Sequence, residues 1–217
     1  MATTSETITV DVEGTTLTGD LALPAGARGV VVFAHGSGSS RRSPRNRAVA
    51  AVLGRADLAT VLIDLLSADE ERADRAGGEL RFDIPLLARR VAAVVDRMGD
   101  RPETAALPVG LFGASTGAAA ALTAAAERPD QVAAVVSRGG RPDLAGAALG
   151  GVRAPVLLVV GGADRHVLRL NEAAAQQLTG VCRLHVVPGA GHLFEEPGAL
   201  EEVADAARDW FLAMRGP

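Results

Sequence analysis

PVGLFGASTGAAAALTAAAE, residues 108–127, decides how the rest of the chain is read. A short apolar run suited to a buried strand passes through Gly113-Ala114-Ser115-Thr116-Gly117 and enters an alanine-rich helical stretch without a linker. This is G-x-S-x-G between a strand and a helix, the pattern of a nucleophile on a sharp turn. Such a turn strains the serine backbone and lifts its hydroxyl clear of the sheet edge. The residues two before and two after the serine run close together, so both must be very small, and both are Gly. The Thr116 amide, at the start of the helix, faces the space in front of Ser115 and is expected to stabilise an oxyanion.

Working outward, the chain alternates short apolar runs with amphipathic stretches. The runs are 30–34 (VVVFA), 59–65 (ATVLIDL), 108–113, 132–137 (VAAVVS), 154–160 (APVLLVV) and 182–187 (CRLHVV). Runs that are apolar on both faces suit strands of a parallel sheet sandwiched between helices. Helical spacing appears at about 44–56, 82–98, 116–127, 168–178 and 198–214. Ahead of these, 6–12 and 15–22 alternate around Glu13-Gly14 and read as an antiparallel hairpin. The expectation is one α/β domain over 1–217, an eight-stranded and mostly parallel sheet with helices on both faces. Ser67–Glu79 shows no clear period and reads as an acidic surface loop. Between the strand ending at Ser137 and the next lies only Arg138–Arg153, too short for a helical lid domain.

A serine nucleophile needs a base, and the base needs an orienting carboxylate. In this topology the order is Ser, then Asp or Glu, then His. Asp164 follows the strand at 154–160 through Gly161-Gly162-Ala163, and His192 follows the strand at 182–187 through Pro188-Gly189-Ala190-Gly191. Both therefore sit at C-terminal strand ends, where open α/β sheets place their ligands. The other histidines fit less well: His185 is mid-strand, His166 is two residues from Asp164, and His35 precedes the nucleophile. Asp143 is the competing acid. The loop His35-Gly36-Ser37-Gly38-Ser39-Ser40 is expected to supply a second oxyanion donor, the Ser37 amide. The same loop, with Asp64 at the end of the next strand, imitates a dinucleotide-binding turn, but Arg41 stands where the third Gly is required.

Composition narrows the chemistry. All 22 basic residues are Arg, and Tyr is absent, so a Walker lysine, a lysine Schiff base and a tyrosine general acid are excluded. A lone Cys182 excludes internal disulfides and cysteine-rich zinc clusters and reads as a packing residue. The formal net charge of −4 opposes a nucleic-acid binder. The N-terminus lacks a signal-peptide pattern, and the apolar runs are far below the roughly 20 residues of a membrane span, so a cytoplasmic protein without membrane partner is expected. Arg41, Arg138 and Arg141 (with Arg42 beside the first) follow strands that end on the site edge and are candidates for binding an anionic substrate, against the plainer reading of surface ion pairs. No metal or organic cofactor is called for.

From the hairpin through VVVFAHGSGSS, GASTGAAAA, VVGGADRHV and PGAGHLFEEPG to the closing helix, the chain resembles the α/β-hydrolase superfamily, in particular its dienelactone-hydrolase-like branch. The resemblance implies a Ser115–Asp164–His192 triad. Dienelactone hydrolases proper carry a Cys nucleophile, so the Ser here turns the expectation toward a serine esterase acting on small esters or lactones, as a monomer or homodimer. A non-catalytic small-molecule binder on the same fold, and an amidase or acyltransferase using the same triad, stay open as alternatives.

Overall fold

The computed structural model describes residues 2–214. A hairpin of β1 (Thr3–Val12) and β2 (Thr15–Pro24) opens the chain. It is followed by β3 (Val30–Ala34), α1 (Pro44–Arg55), β4 (Ala59–Ile63), α2 (Ala68–Gly77), α3 (Ile84–Asp100), β5 (Val109–Ala114), α4 (Thr116–Glu127) and β6 (Val132–Arg138). Then come β7 (Val156–Gly161), α5 (Arg165–Ala175), β8 (Cys182–Val187) and α6 (Ala199–Leu212). The eight strands form one sheet in the order β1-β2-β4-β3-β5-β6-β7-β8. The β1–β2 and β2–β4 pairings are antiparallel, and the others are parallel.

The central strands β3, β4, β5 and β7 are buried along their whole length, as their two-sided apolar sequence requires. Two cores flank the sheet. One packs Val49 and Leu53 of α1 with Val203, Ala207 and Phe211 of α6. The other packs the apolar stripe of α3 against the alanine face of α4, with Ala174 of α5 at its margin. Alanines let α4 lie close to the sheet, and nine of its twelve residues are buried. Gly110 in β5 makes a comparable allowance for α6, since a Cβ there would stand 2.7 Å from the Phe211 ring. Both helical layers are thus drawn onto the strand that carries the nucleophile.

One expected loop is a helix. Residues 68–77 form α2, closed at both ends by local chemistry. The Ser67 side chain accepts from the Glu70 amide while the Glu70 carboxylate accepts from the Ser67 amide, a reciprocal cap. At the other end Gly78 takes the left-handed conformation (φ 73°). The helix has little apolar surface, so its period is hard to see, but Ser67-x-x-Glu70 was the readable signal. Glu70 also pairs with buried Arg90 of α3 at 2.5 Å, and the Arg81 guanidinium holds Asp74 at the far end of α2. The stretch after β6 is a 3-10 segment, Pro142–Gly151, broken at Gly146 and packed on α4, with no lid among the described residues.

Ser67→Ala removes one half of the cap and should cost α2 about 1 kcal/mol. The expected outcome is faster amide exchange within 68–77 with unchanged exchange in β3, β5 and β7; unchanged exchange in α2 would show that its contacts to α3 alone hold it.

Candidate active site

Ser115 sits between β5 and α4 with φ 51° and ψ −122°, outside the regions open to ordinary L-residues. What holds it there is contact on every side. The Ser115 amide donates to the Arg138 carbonyl at 3.3 Å, and its carbonyl accepts from Ala118 and Arg141. A Cβ at Gly113 would lie 2.4 Å from the Ala118 Cα and 2.7 Å from the Gly117 carbonyl, the approach expected between the two elbow glycines. Gly117 answers a different demand as well. A Cβ there would lie 2.3 Å from the Ala34 carbonyl and 2.4 Å from that of His35, so the elbow is seated directly on the end of β3. Gly36 is pressed against the nucleophile in the same way, with a hypothetical Cβ 2.9 Å from that of Ser115.

The acid and base come from neighbouring loops after β7 and β8. Gly161 lets these loops touch: a Cβ there would fall 2.3 Å from the Ala190 carbonyl. The Ala163 amide donates to that same carbonyl. This contact brings Asp164 Oδ2 to 2.8 Å from His192 Nδ1. Asp164 Oδ1 caps α5 by accepting from the Val167 amide, which leaves the carboxylate one orientation. Gly139, in the left-handed region, lies beside His192, and a Cβ there would stand 3.1 Å from the His192 carbonyl and 3.6 Å from its Nδ1. Ser115 and His192 line one pocket of about 240 Å³, together with Ser37, Asn46, Arg138 and Leu193. A larger cavity of about 330 Å³ adjoins it across the 36–39 loop, walled by Leu65, Leu66 and Leu87 with Arg81 and Glu71 at its polar margin.

The oxyanion loop contains two features that sequence reading missed. The Ser37 amide has an acceptor in the protein, the Thr116 hydroxyl at 2.8 Å, so its expected partnership with Thr116 runs through a side chain. The other end of the same peptide unit is also held. His35 Nε2 accepts from the Leu65 amide at 3.1 Å, which places the ring proton on Nδ1, where it donates to the Gly36 carbonyl at 2.9 Å. The Gly36–Ser37 peptide is therefore clamped at its carbonyl by His35 and at its N–H by Thr116. His35 was set aside in the sequence because it precedes the nucleophile; its neighbour Gly36 was the available clue.

The three arginines separate. Arg41 is committed elsewhere: its guanidinium and backbone amide both bind Asp64, and Asp20 lies at 3.4 Å. Although burial works against it, the Asp64 hydrogen bond raises its pKa above the ordinary arginine value. Arg141 is likewise closed by a two-pronged bond to Asp143 at 2.9 and 2.7 Å, a hydrogen bond that raises its pKa. That pairing also occupies Asp143, the competing acid. The surface ion pair weighed against substrate binding is the arrangement the structure shows for Arg41 and Arg141. Arg138 is different. It is buried in the pocket, and among the described residues its side chain makes one hydrogen bond, a long 3.4 Å contact to Asn46 Oδ1. Asp64, the residue of the dinucleotide-like reading, is taken by Arg41. Among the described residues no group of three or more His, Cys, Asp or Glu side chains is placed for a metal ion, and no helix is long and apolar enough to cross a membrane.

An eight-stranded sheet of this order, with a strained serine on the β5 turn and a His–Asp pair after β8 and β7, defines the α/β-hydrolase fold. The model of the dienelactone hydrolase family matches residues 18–215, and the chain belongs to that family. The crystal structure of a dienelactone hydrolase from Anabaena variabilis is similar over 98% of both chains, with 56% identity and a TM-score of 0.96. Est1E from Butyrivibrio proteoclasticus shares the fold at 18% identity, with a TM-score of 0.79 over 95% of this chain and 97% of that one. A Mycobacterium tuberculosis protein provisionally named a phosphoribosyl transferase is 60% identical over 194 residues, which is 89% of this chain and 43% of that protein. The chain thus spans less than half the length of the curated relatives it matches.

Burial lowers the pKa of His35 below its ordinary value, outweighing the Gly36 hydrogen bond and the Asp64 charge that raise it. The unfolded chain then takes up a proton at about pH 6.5 while the folded chain does not. Stability should therefore be full above that pH and fall as pH drops from about 6.5 toward the lowered folded value. His35→Gln should remove this part of the slope in denaturant titrations between pH 7 and 5. An unchanged slope would show that His35 does not carry it.

Proposed function

We propose that the protein is a serine hydrolase of small carboxylic esters or lactones, acting through an acyl-enzyme on Ser115. The single observation that supports this most is the 2.8 Å His192–Asp164 bond at the mouth of the pocket that Ser115 lines. With Nδ1 bound to Asp164, His192 Nε2 is the ring nitrogen available as base, and Asp164 fixes that tautomer. In the reaction, Ser115 Oγ attacks the carbonyl carbon as its proton passes to His192. The carbonyl electrons move onto oxygen, and the alcohol leaves with the proton from His192. Water then repeats the sequence on the acyl-enzyme, releasing the acid and restoring Ser115.

The Thr116 amide, at the first turn of α4, supports the oxyanion with the helix dipole behind it. The Ser37 amide would serve as the second donor by sharing its proton between Thr116 Oγ1 and the oxyanion. Clamping the Gly36–Ser37 peptide at both ends means this donor needs no reorganisation when charge develops. Ser115 in place of the family's Cys argues for oxygen-ester chemistry with a base-activated hydroxyl. The open edge after β6 suits small substrates that need no lid movement. The name of the M. tuberculosis relatives attaches to a protein more than twice as long as the match, and we assign any phosphoribosyl transfer to its unmatched part, since nothing at this elbow calls for it.

Steady-state hydrolysis of short-chain p-nitrophenyl esters tests the reading. Asp164→Asn and His192→Ala should each lower kcat by about 10³–10⁴ with modest change in KM, because the interactions lost belong to the transition state. Loss of less than about tenfold in both would place the chemistry elsewhere.

A further inference from the structure

Arg138 is the one arginine of the three candidates that the fold leaves without an anion. Its side chain is buried, with 8% of the residue exposed, and neither Nε nor Nη1 has a hydrogen-bond partner in the protein. Phe194 lies under the guanidinium at 6.0 Å, an apolar neighbour that offers a π-face and no counter-charge. Burying an uncompensated cation is costly, and where it persists beside a reactive group it calls for a ligand. The cost is visible in the group itself: burial, with help from the Arg45 charge, lowers its pKa to about 10, which still leaves it charged at neutral pH.

The surroundings add positive potential. Arg45 lines the same pocket, and its Nε is buried and unpartnered, although its Nη1 reaches the exposed Glu195 at 3.4 Å. Both residues meet at the start of the twelve-residue helix α1, where Pro44 has no N–H and the Asn46 amide is taken by the Ser43 side chain, so the helix contributes its dipole rather than free amides. No carboxylate lines it. Two guanidinium charges and a helix N-terminus therefore converge within one 240 Å³ space that also holds Ser115 and His192.

From this convergence we propose that the pocket is an anion subsite of the active centre, built by Arg138, Arg45 and the start of α1, and that the substrate is an ester carrying a phosphate monoester group. The assignment rests on the serine-hydrolase reading for the ester and on these residues for the phosphate. The donor count selects phosphate over carboxylate. Arg138 Nε and Nη1 and Arg45 Nε are three buried donors without a partner among the described residues; a carboxylate offers two acceptor oxygens, whereas a phosphate monoester offers three and carries about 1.5 to 2 negative charges at neutral pH. Arginine forks are the donors that match such a group.

The test compares three p-nitrophenyl esters whose acyl chains end in a phosphate, a carboxylate or a methyl group, and adds calorimetric binding of inorganic phosphate to Ser115→Ala. The wild type should favour the phosphate ester over the methyl ester by about tenfold or more in kcat/KM, with the carboxylate ester between them. That ratio should collapse in Arg138→Met and fall in Arg45→Gln, whose partly exposed position spares the fold. Phosphate binding to Ser115→Ala should vanish when Arg138→Met is added. A ratio near one in the wild type, or one untouched by Arg45→Gln and Arg138→Met alike, overturns the subsite. Preference for the carboxylate ester overturns the phosphate assignment. If no ester is turned over while phosphate binds through Arg138, the hydrolase reading fails and the anion site stands.

Discussion

The site depends on one close approach: the backbone of Gly117 against the carbonyls of Ala34 and His35. The elbow can hold Ser115 at φ 51° because residue 117 has no side chain to push α4 away from β3. The same contact brings the start of α4 beside the loop after β3, so the Thr116 hydroxyl can reach the Ser37 amide. Nucleophile and oxyanion loop are thus positioned by one steric condition. The β7 and β8 loops repeat the device, with Gly161 admitting the Ala190 carbonyl so that Asp164 and His192 can meet. Strain at Ser115 is balanced by burial on both faces of β5, where α4 and α6 close in on alanine and glycine positions.

Electrostatics divides the arginines by whether the fold gives them an acid. With no lysine in the chain, every mobile-looking cation is a guanidinium, and most are held: Arg41 by Asp64 and Asp20, Arg90 by Glu70, Arg128 by Asp96, Arg141 by Asp143. Such pairs order loops and helix ends more than they add stability. Against that background a buried Arg138 without a carboxylate stands apart. The nearest acids, Asp164 bound to His192 and Glu195 beside Arg45, do not line the pocket, which stays cationic on the side of the nucleophile.

Much of the fold was legible because parallel strands buried on both faces announce themselves as unbroken apolar runs. β3 (30–34), β8 (182–187) and α4 (116–127) begin and end where the pattern changes. The helix at 68–77 was not legible by period because it buries almost nothing; its caps, Ser67 with Glu70 and Gly78, were the local signs. At the site, the order Ser115, Asp164, His192 and their glycine-rich loops pointed to one sheet edge. Which arginine would be free could not be read, because that depends on Asp20, Asp64 and Asp143 finding Arg41 and Arg141 across or along loops. The role of His35 was hidden for the same reason: its partners, the Leu65 amide and the Gly36 carbonyl, come together only when β3 and β4 pair.

The central claim is that Ser115 is an activated nucleophile. Reaction with a fluorophosphonate, followed by intact mass and peptide mapping, addresses it without knowledge of the substrate. The account predicts one adduct, on Ser115, formed much more slowly in His192→Ala. A folded wild type that takes no adduct, or takes it on another residue, would contradict it.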